Sequence, residues 1–215
     1  MRLDWIEIGT SDFDTLAGCE QPDDVGLSIE PVGVYLERLP ARPGLSKLRA
    51  AIGETSGDAE VWYIPPELIA ALHLPWWARG CNAIGGPHPT LASRVPADAW
   101  HREPVPVLTM ADVLSRFGIT GIGRLKIDAE GADAAILRSL VACCDQRGGW
   151  PERIEWERNA LTENDALAVA EKLLVLRGFT IDEDRFSMRS AVRTRPSSPA
   201  ETRAHSPGRS RRISG

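Results

Sequence analysis

The stretch LDWIEIGTSDF (Leu3–Phe13) is an apolar run closed by a glycine and two hydroxyl residues. It has the form of a buried parallel strand entering a tight turn. Gly9 permits close approach of the backbone to a ligand, and Thr10 and Ser11 offer hydroxyls and amides to a polar one. Such a turn, taken alone, serves structure as readily as binding. A second run, GLSIE (26–30), ends in Glu30, 21 residues after Gly9, with Pro31 behind it. An acidic residue at that distance can accept hydrogen bonds from both ribose hydroxyls of a nucleotide-containing cofactor. A solvated glutamate at a strand tip would look the same; strand, turn and acid together point to the cofactor.

Outward from this pair, strands and helices alternate. Helix Val32–Leu39 follows Pro31, and a third strand runs over Lys47–Ile52. Gly57-Asp58 divides that strand from Ala59–Ile64, which predicts a hairpin extension. Residues 65–104 carry seven prolines, Trp76-Trp77 and the run GCNAIGG, and read as an irregular insertion over the sheet. Regular structure resumes with strand Val105–Leu108, an N-cap at Thr109 and helix Met110–Phe117, closed by Gly118. Strand Gly123–Ala129, helix Ala132–Cys144, strand Arg153–Glu157, helix Asn164–Arg177 and a strand pair at Thr180–Asp182 and Ser187–Val192 complete the pattern. It predicts one α/β domain over 1–192, a Rossmann-like, mainly parallel sheet with helices on both faces and a ligand at the strand tips.

The most loaded stretch is Lys126-Ile127-Asp128-Ala129-Glu130. On a strand, Lys126, Asp128 and Glu130 project to one side, and three ionisable groups at one tip are costly to bury without a purpose. The structural alternative is an ion-paired helix start with carboxylates at the positive end of the dipole.

EIGTSDF, SIEP, AAIGETSGDAEVWY, TMADVL and LKIDAEGAD occur in the order seen in FkbM-type methyltransferases, and RIEWE is similar to their next strand. The resemblance covers roughly residues 3–160. Its most specific piece is KIDAEGAD, with Asp133 where the family has glutamate. It implies a class I fold and methyl transfer from S-adenosylmethionine, most often to a hydroxyl of a sugar, polyketide or related small molecule. On this resemblance Glu7, Gly9, Thr10 and Ser11 meet the methionine part of the cofactor, Glu30 its ribose, and Ala51 and Ile52 its adenine, with Pro31 a further cofactor contact. Asp128 and Glu130 face the methyl group or acceptor, one of them as general base. The chain departs from the family at Phe13, where a second glycine is common, and it begins at strand one.

Trp76 and Trp77 are candidates for an apolar wall over the acceptor or for anchors of the insertion, and His88 is an alternative base or acceptor contact. Asp128 and Glu130 would be the ligands of a divalent ion; spacing places no third, so no metal is predicted. Residues 193–215 hold six arginines against one glutamate, so +5 sits there and −10 of the net −5 on the body. An acidic body argues against a nucleic-acid partner, and the Arg/Ser/Pro-rich tail reads as disordered. No run reaches the roughly 20 apolar residues of a membrane helix. The four cysteines lack CxxC spacing, which with the absence of a signal peptide predicts reduced thiols in a soluble cytoplasmic protein. Two rivals remain: a nucleotide-dependent oxidoreductase, disfavoured by the lack of GxGxxG, and a non-catalytic cofactor-binding module.

Overall fold

The computed structural model describes residues 1–13, 15–19, 21, 23–158, 161, 164–183 and 188–194. In chain order the elements are β1 (Arg2–Ile8), α1 (Leu16–Cys19), β2 (Gly26–Ile29), α2 (Gly33–Arg38), β3 (Leu45–Leu48), β4 (Ala51–Ile52), β5 (Gly57–Tyr63) and α3 (Pro66–Ala71). They continue with β6 (Ala83–Ile84), α4 (Pro89–Ala92), β7 (His101–Leu108), α5 (Met110–Arg116), β8 (Gly121–Ile127) and α6 (Asp133–Arg147). The last are β9 (Arg153–Glu157), α7 (Asn164–Val175), β10 (Phe179–Glu183) and β11 (Met188–Arg193).

The main sheet has seven strands in the order β10-β11-β9-β8-β1-β2-β3. β3, β2, β1, β8 and β9 are mutually parallel, and β11 runs antiparallel between β9 and β10. The order reverses at β1, whose two neighbours precede and follow a long excursion of the chain. Such a switch point opens a crevice at the strand tips.

Strand alternation assigns helices to both faces. Ile6 and Ile8 join the large core cluster with Met110, Val113 and Leu114 of α5, Leu137 and Leu140 of α6, and Leu167, Ala170 and Leu174 of α7. Trp5, on the opposite side of β1, packs with Leu16 and Ala17 of α1. Thr109 caps α5 as expected, its hydroxyl accepting from the Asp112 N–H at 3.1 Å while Asp112 reaches back to the Thr109 N–H at 2.9 Å.

The expected third strand, Lys47–Ile52, is broken in two. Lys47 and Leu48 lie in β3, whereas Ala51 and Ile52 leave for a second, four-stranded sheet ordered β4-β7-β5-β6, where they pair with Val107 and Leu108. Between them Arg49 donates to Glu103 Oε2 at 2.6 Å and to the Pro104 carbonyl at 3.0 Å, drawing the chain toward β7. The expected hairpin fails for the same reason. β5 pairs antiparallel with β7 from Gly57↔Val107 to Tyr63↔His101, and β7 separates it from β4. Along residues 101–106, β7 pairs with β5 alone among the described strands, which tolerates Pro104 and Pro106.

Residues 65–104 are also more regular than their prolines suggest. They form α3, α4, two 3-10 turns, β6 and the start of β7, around a cluster of Ile64, Ile69, Ala78, Cys81, Leu91, Val95, Ala99 and Trp100. The prolines start helices rather than prevent them: Pro66 and Pro89 occupy first-turn positions of α3 and α4. No helix among the described residues is long and apolar enough to cross a membrane. Of the tail expected from Arg193, only Arg193 and Thr194 lie within the described residues, and Arg193 still pairs with Phe179.

Lys126 of β8 sits 3.0 Å from Glu7 of β1, whose side chain is fully buried. Lys126→Met leaves that carboxylate without its cation, a loss of about 3–5 kcal/mol for a buried charge pair. Urea unfolding should show a larger loss at pH 8 than at pH 5, because burial raises the Glu7 carboxyl and favours its protonation as pH falls. Equal losses at both pH values would mean that the pair does not carry the effect.

Candidate functional site

The tips of β1 and β8 are pressed together. The Gly9 N–H donates to the Ile29 carbonyl at 2.9 Å and the Asp128 N–H donates to the Ile8 carbonyl at 2.9 Å, so β1 is held on both sides up to the turn. Gly9 has φ +81°, and a Cβ placed on it would lie 1.9 Å from the Asp128 carbonyl oxygen. Only glycine meets both conditions.

Above this contact lies a cavity of about 110 Å³. One water needs roughly 10–15 Å³ on that measure, so the space suits an organic ligand. Gly9, Thr10, Ser11, Glu30, Pro31, Ala51, Ile52, Asp128 and Glu130 all line it. The Glu30 carboxylate is tied down by two backbone donors, Ser11 N–H at 2.7 Å to Oε2 and Val32 N–H at 2.9 Å to Oε1. Burial nevertheless pushes its pKa up to about 7, with smaller contributions from the negative charges of Glu7 and Asp12.

Glu7 does not line this cavity. It is fully buried and accepts from the Thr15 hydroxyl at 2.5 Å, the Leu16 N–H at 3.0 Å and Lys126 at 3.0 Å. Burial raises its pKa, and Lys126 offsets part of that rise. Its place is beneath the turn between β1 and α1, which it anchors, and not at the surface a cofactor would touch.

At the other end of the cavity the expected strand alternation stops at Ile127. Asp128 and Glu130 are brought together instead by a turn in which Glu130 takes φ +48°, a conformation rare for a non-glycine residue. Carboxylate oxygens of Asp128, Glu130 and Glu157 lie within 4.8 Å of one another. Burial pushes the Asp128 carboxyl up to about 7, the nearby negative charges of Glu130, Asp133 and Glu7 adding to it and Lys126 opposing it.

His88 is buried and lies outside the cavity lining, behind Glu130, with Nε2 at 3.1 Å from Glu130 Oε2. Trp76 and Trp77 do not line the cavity either. Trp76 is 64% exposed and packs edge-on against Phe13 at 5.1 Å between centroids, and Phe13 does line it. The aromatic that replaces the family's glycine is thus a link to the 65–104 segment. That link is reinforced by the Ser11 hydroxyl donating to the Arg79 carbonyl at 2.9 Å and by Asp12 pairing with Arg79 at 3.2 Å; Asp12 also pairs with Arg38 of α2 at 3.0 Å.

Several lining residues escaped the sequence. Gly80, Asn82 and Ile84 come from the glycine-rich run around GCNAIGG, whose small residues were the available signal. The Asn82 amide donates to the Arg79 carbonyl at 3.1 Å while its oxygen, buried, has no partner among the described residues. Asp133 was missed as a structural group: fully buried, it accepts from the Glu157 N–H at 3.1 Å and joins the start of α6 to the end of β9.

Two sets of side chains have ligand atoms close enough to share a cation: Cys81, His88 and Glu130, and Asp128, Glu130 and Glu157. In the first, His88 Nδ1 accepts from the Thr90 N–H at 3.3 Å, so the ring proton sits on Nε2 and no lone pair faces Glu130. In the second, the donors are three carboxylates, a set suited to a hard divalent ion.

A family model described as the methyltransferase FkbM domain matches residues 8–165, well over half of the chain. No curated relative matches the chain. Among solved structures the chain is similar to the METTL16 MTase domain (crystal form 2), with 11% sequence identity and a TM-score of 0.40. The match covers 89% of this chain and 59% of that one, so the chain spans about three fifths of that neighbour's length.

Two outcomes follow from the geometry. Gly9→Ala should destabilise the protein by several kcal/mol, as strain at positive φ adds to a backbone clash; unchanged thermal unfolding would contradict the contact. Glu30 is held above its ordinary pKa in the folded state, so its contribution to stability is present below about pH 4.5 and lost as pH rises toward 7. Asp128 acts in the same direction. Urea unfolding should therefore show stability falling between pH 5 and 8, less steeply in Glu30→Gln; an equal slope in the variant would mean that Glu30 is not the titrating group.

Proposed function

As the chain belongs to the FkbM methyltransferase family, we propose that it transfers a methyl group from S-adenosylmethionine to a hydroxyl of a small molecule such as a sugar or polyketide. One observation carries the cofactor assignment. The cavity lining contains three carboxylates, Glu30, Asp128 and Glu130, and its one basic residue among those described, Lys126, is paired with Glu7. Such a lining complements a sulfonium cation and repels the pyrophosphate of NAD. The helix that follows β1 begins at Leu16, so among the described residues no helix N-terminus directly follows the Gly9 turn to receive a pyrophosphate. This weighs against the oxidoreductase.

The residues present fit the cofactor. Glu30 retains lone pairs for ribose hydroxyls beyond those used by Ser11 and Val32. Ala50, Ala51, Ile52 and Ile84 offer an apolar wall for a base, and the unpartnered oxygen of Asn82 can accept from a polar edge. Bound there, S-adenosylmethionine would supply the acceptor oxygen with a methyl carbon already activated by its sulfonium, leaving as S-adenosylhomocysteine.

The protein's tasks are then orientation and proton removal. We assign the proton to Asp128. Its carboxylate has no hydrogen-bond partner among the described residues, lines the cavity, and is raised by burial to about 7, where a base is half ionised at neutral pH. Glu130 stands beside it to hold the acceptor, and Phe13 with Trp76 forms an apolar rim at the mouth. The proposed setting is cytoplasmic, supported by the unpaired buried thiols of Cys81, Cys143 and Cys144.

Transfer of labelled methyl from S-adenosylmethionine to a panel of sugars and macrocyclic polyols tests the assignment. Asp128→Asn should lower turnover by about 10²–10⁴-fold with folding intact. Wild-type turnover should rise with pH through about 7 as Asp128 ionises. Undiminished turnover in the variant would remove Asp128 as base. Cofactor binding without transfer to any member of the panel would favour the non-catalytic module.

A further inference from the structure

Glu130 occupies a place its own backbone does not favour. It sits at φ +48° immediately before Gly131 at φ +99°, yet its side chain is only 25% exposed and lines the cavity. Something outside the turn has to fix that carboxylate, and the structure supplies one group that does so. His88, on the 65–104 segment, caps α4 through Nδ1, which accepts from the Thr90 N–H at 3.3 Å. An imidazole that accepts at Nδ1 carries its proton on Nε2 when neutral. That nitrogen lies 3.1 Å from Glu130 Oε2 and donates to it, and the ring is only 2% exposed.

The other carboxylate oxygen is left free. No donor among the described residues meets Glu130 Oε1, and Gly80, which lines the cavity, would bring a Cβ to 4.0 Å from it if it had one. A capping histidine thus holds one oxygen of this carboxylate, and a bare glycine leaves room beside the other.

We propose that His88 is a positioning residue that holds Glu130 with one oxygen toward the methyl-bearing end of the cofactor, so that the 65–104 segment sets the charge at the acceptor end. This rests on the S-adenosylmethionine reading above. Asp128 has no comparable holder among the described residues. The two neighbouring carboxylates therefore divide the work: Asp128 exchanges a proton, and Glu130, charge-assisted by a fixed donor, stays in place as an acceptor of hydrogen bonds.

The test needs no acceptor. Sinefungin carries an amine where S-adenosylmethionine carries its methyl group, whereas S-adenosylhomocysteine has neither the methyl group nor that charge. The ratio of their dissociation constants, measured by calorimetry, reads the carboxylates at the methyl end. Wild-type protein should prefer sinefungin about tenfold, as one charge-assisted hydrogen bond allows. His88→Ala should lose most of that preference while holding S-adenosylhomocysteine within about twofold, since His88 does not line the cavity. His88→Gln, whose amide can still donate, should keep the larger part.

An unchanged ratio in His88→Ala overturns the proposal. Should that variant fail to fold, Glu130→Gln preserves the acceptor for His88 and removes the charge; a preference retained there overturns it equally. Nitrogen NMR of wild-type histidines should find His88 protonated at Nε2, and a proton at Nδ1 contradicts the arrangement. If wild-type protein binds S-adenosylhomocysteine without preferring sinefungin, this inference alone falls. If it binds neither, the cofactor reading falls and takes this one with it.

Discussion

The contact between Gly9 and the Asp128 carbonyl is the constraint on which the rest depends. Parallel strands β1 and β8 run side by side, but what makes their tips one site is that a backbone without a Cβ lets the two turns touch. The turn after β1 then reaches Glu30 through the Ser11 N–H, and the turn after β8 carries Asp128 and Glu130. Glu30 and the Asp128–Glu130 pair thereby share a cavity across the switch point of the sheet.

Beneath that contact, Glu7 and Lys126 form a buried tie between the same two strands. The tie has an electrostatic consequence. Lys126 lines the cavity, but its charge is taken up by a carboxylate that does not, so the face presented to a ligand is net acidic. Above the contact, the 65–104 segment contributes Gly80, Asn82 and Ile84 to the cavity lining. Phe13 against Trp76, Ser11 against the Arg79 carbonyl and Asp12 against Arg79 fasten it to the first turn, and His88 against Glu130 fastens it to the second.

Much of this was legible in the sequence because it rests on local chemistry. An apolar run closed by glycine, an acid at the next strand tip and a capping threonine before α5 each declare themselves within a few residues. The fold class followed, as did the strand β9 at Arg153–Glu157 and the start of α7 at Asn164. What was not legible depended on distant partners. The third strand divides because Arg49 is drawn to Glu103 on β7, a partner 54 residues away. Glu7 looks like any acid near the end of a first strand; that it faces inward follows from Thr15, Leu16 and Lys126 gathering around it. His88 likewise showed as a lone histidine in a proline-rich segment, since its relation to Glu130 spans 42 residues. Proline content concealed the order of that segment, because proline marks helix starts as well as loops.

Titrating purified protein with S-adenosylmethionine and, separately, with NAD by calorimetry tests the central claim most directly. An acidic cavity with Glu30 at one end and Asp128 and Glu130 at the other predicts that the sulfonium compound binds and NAD does not. Binding of NAD in its place, or of neither compound, would contradict it.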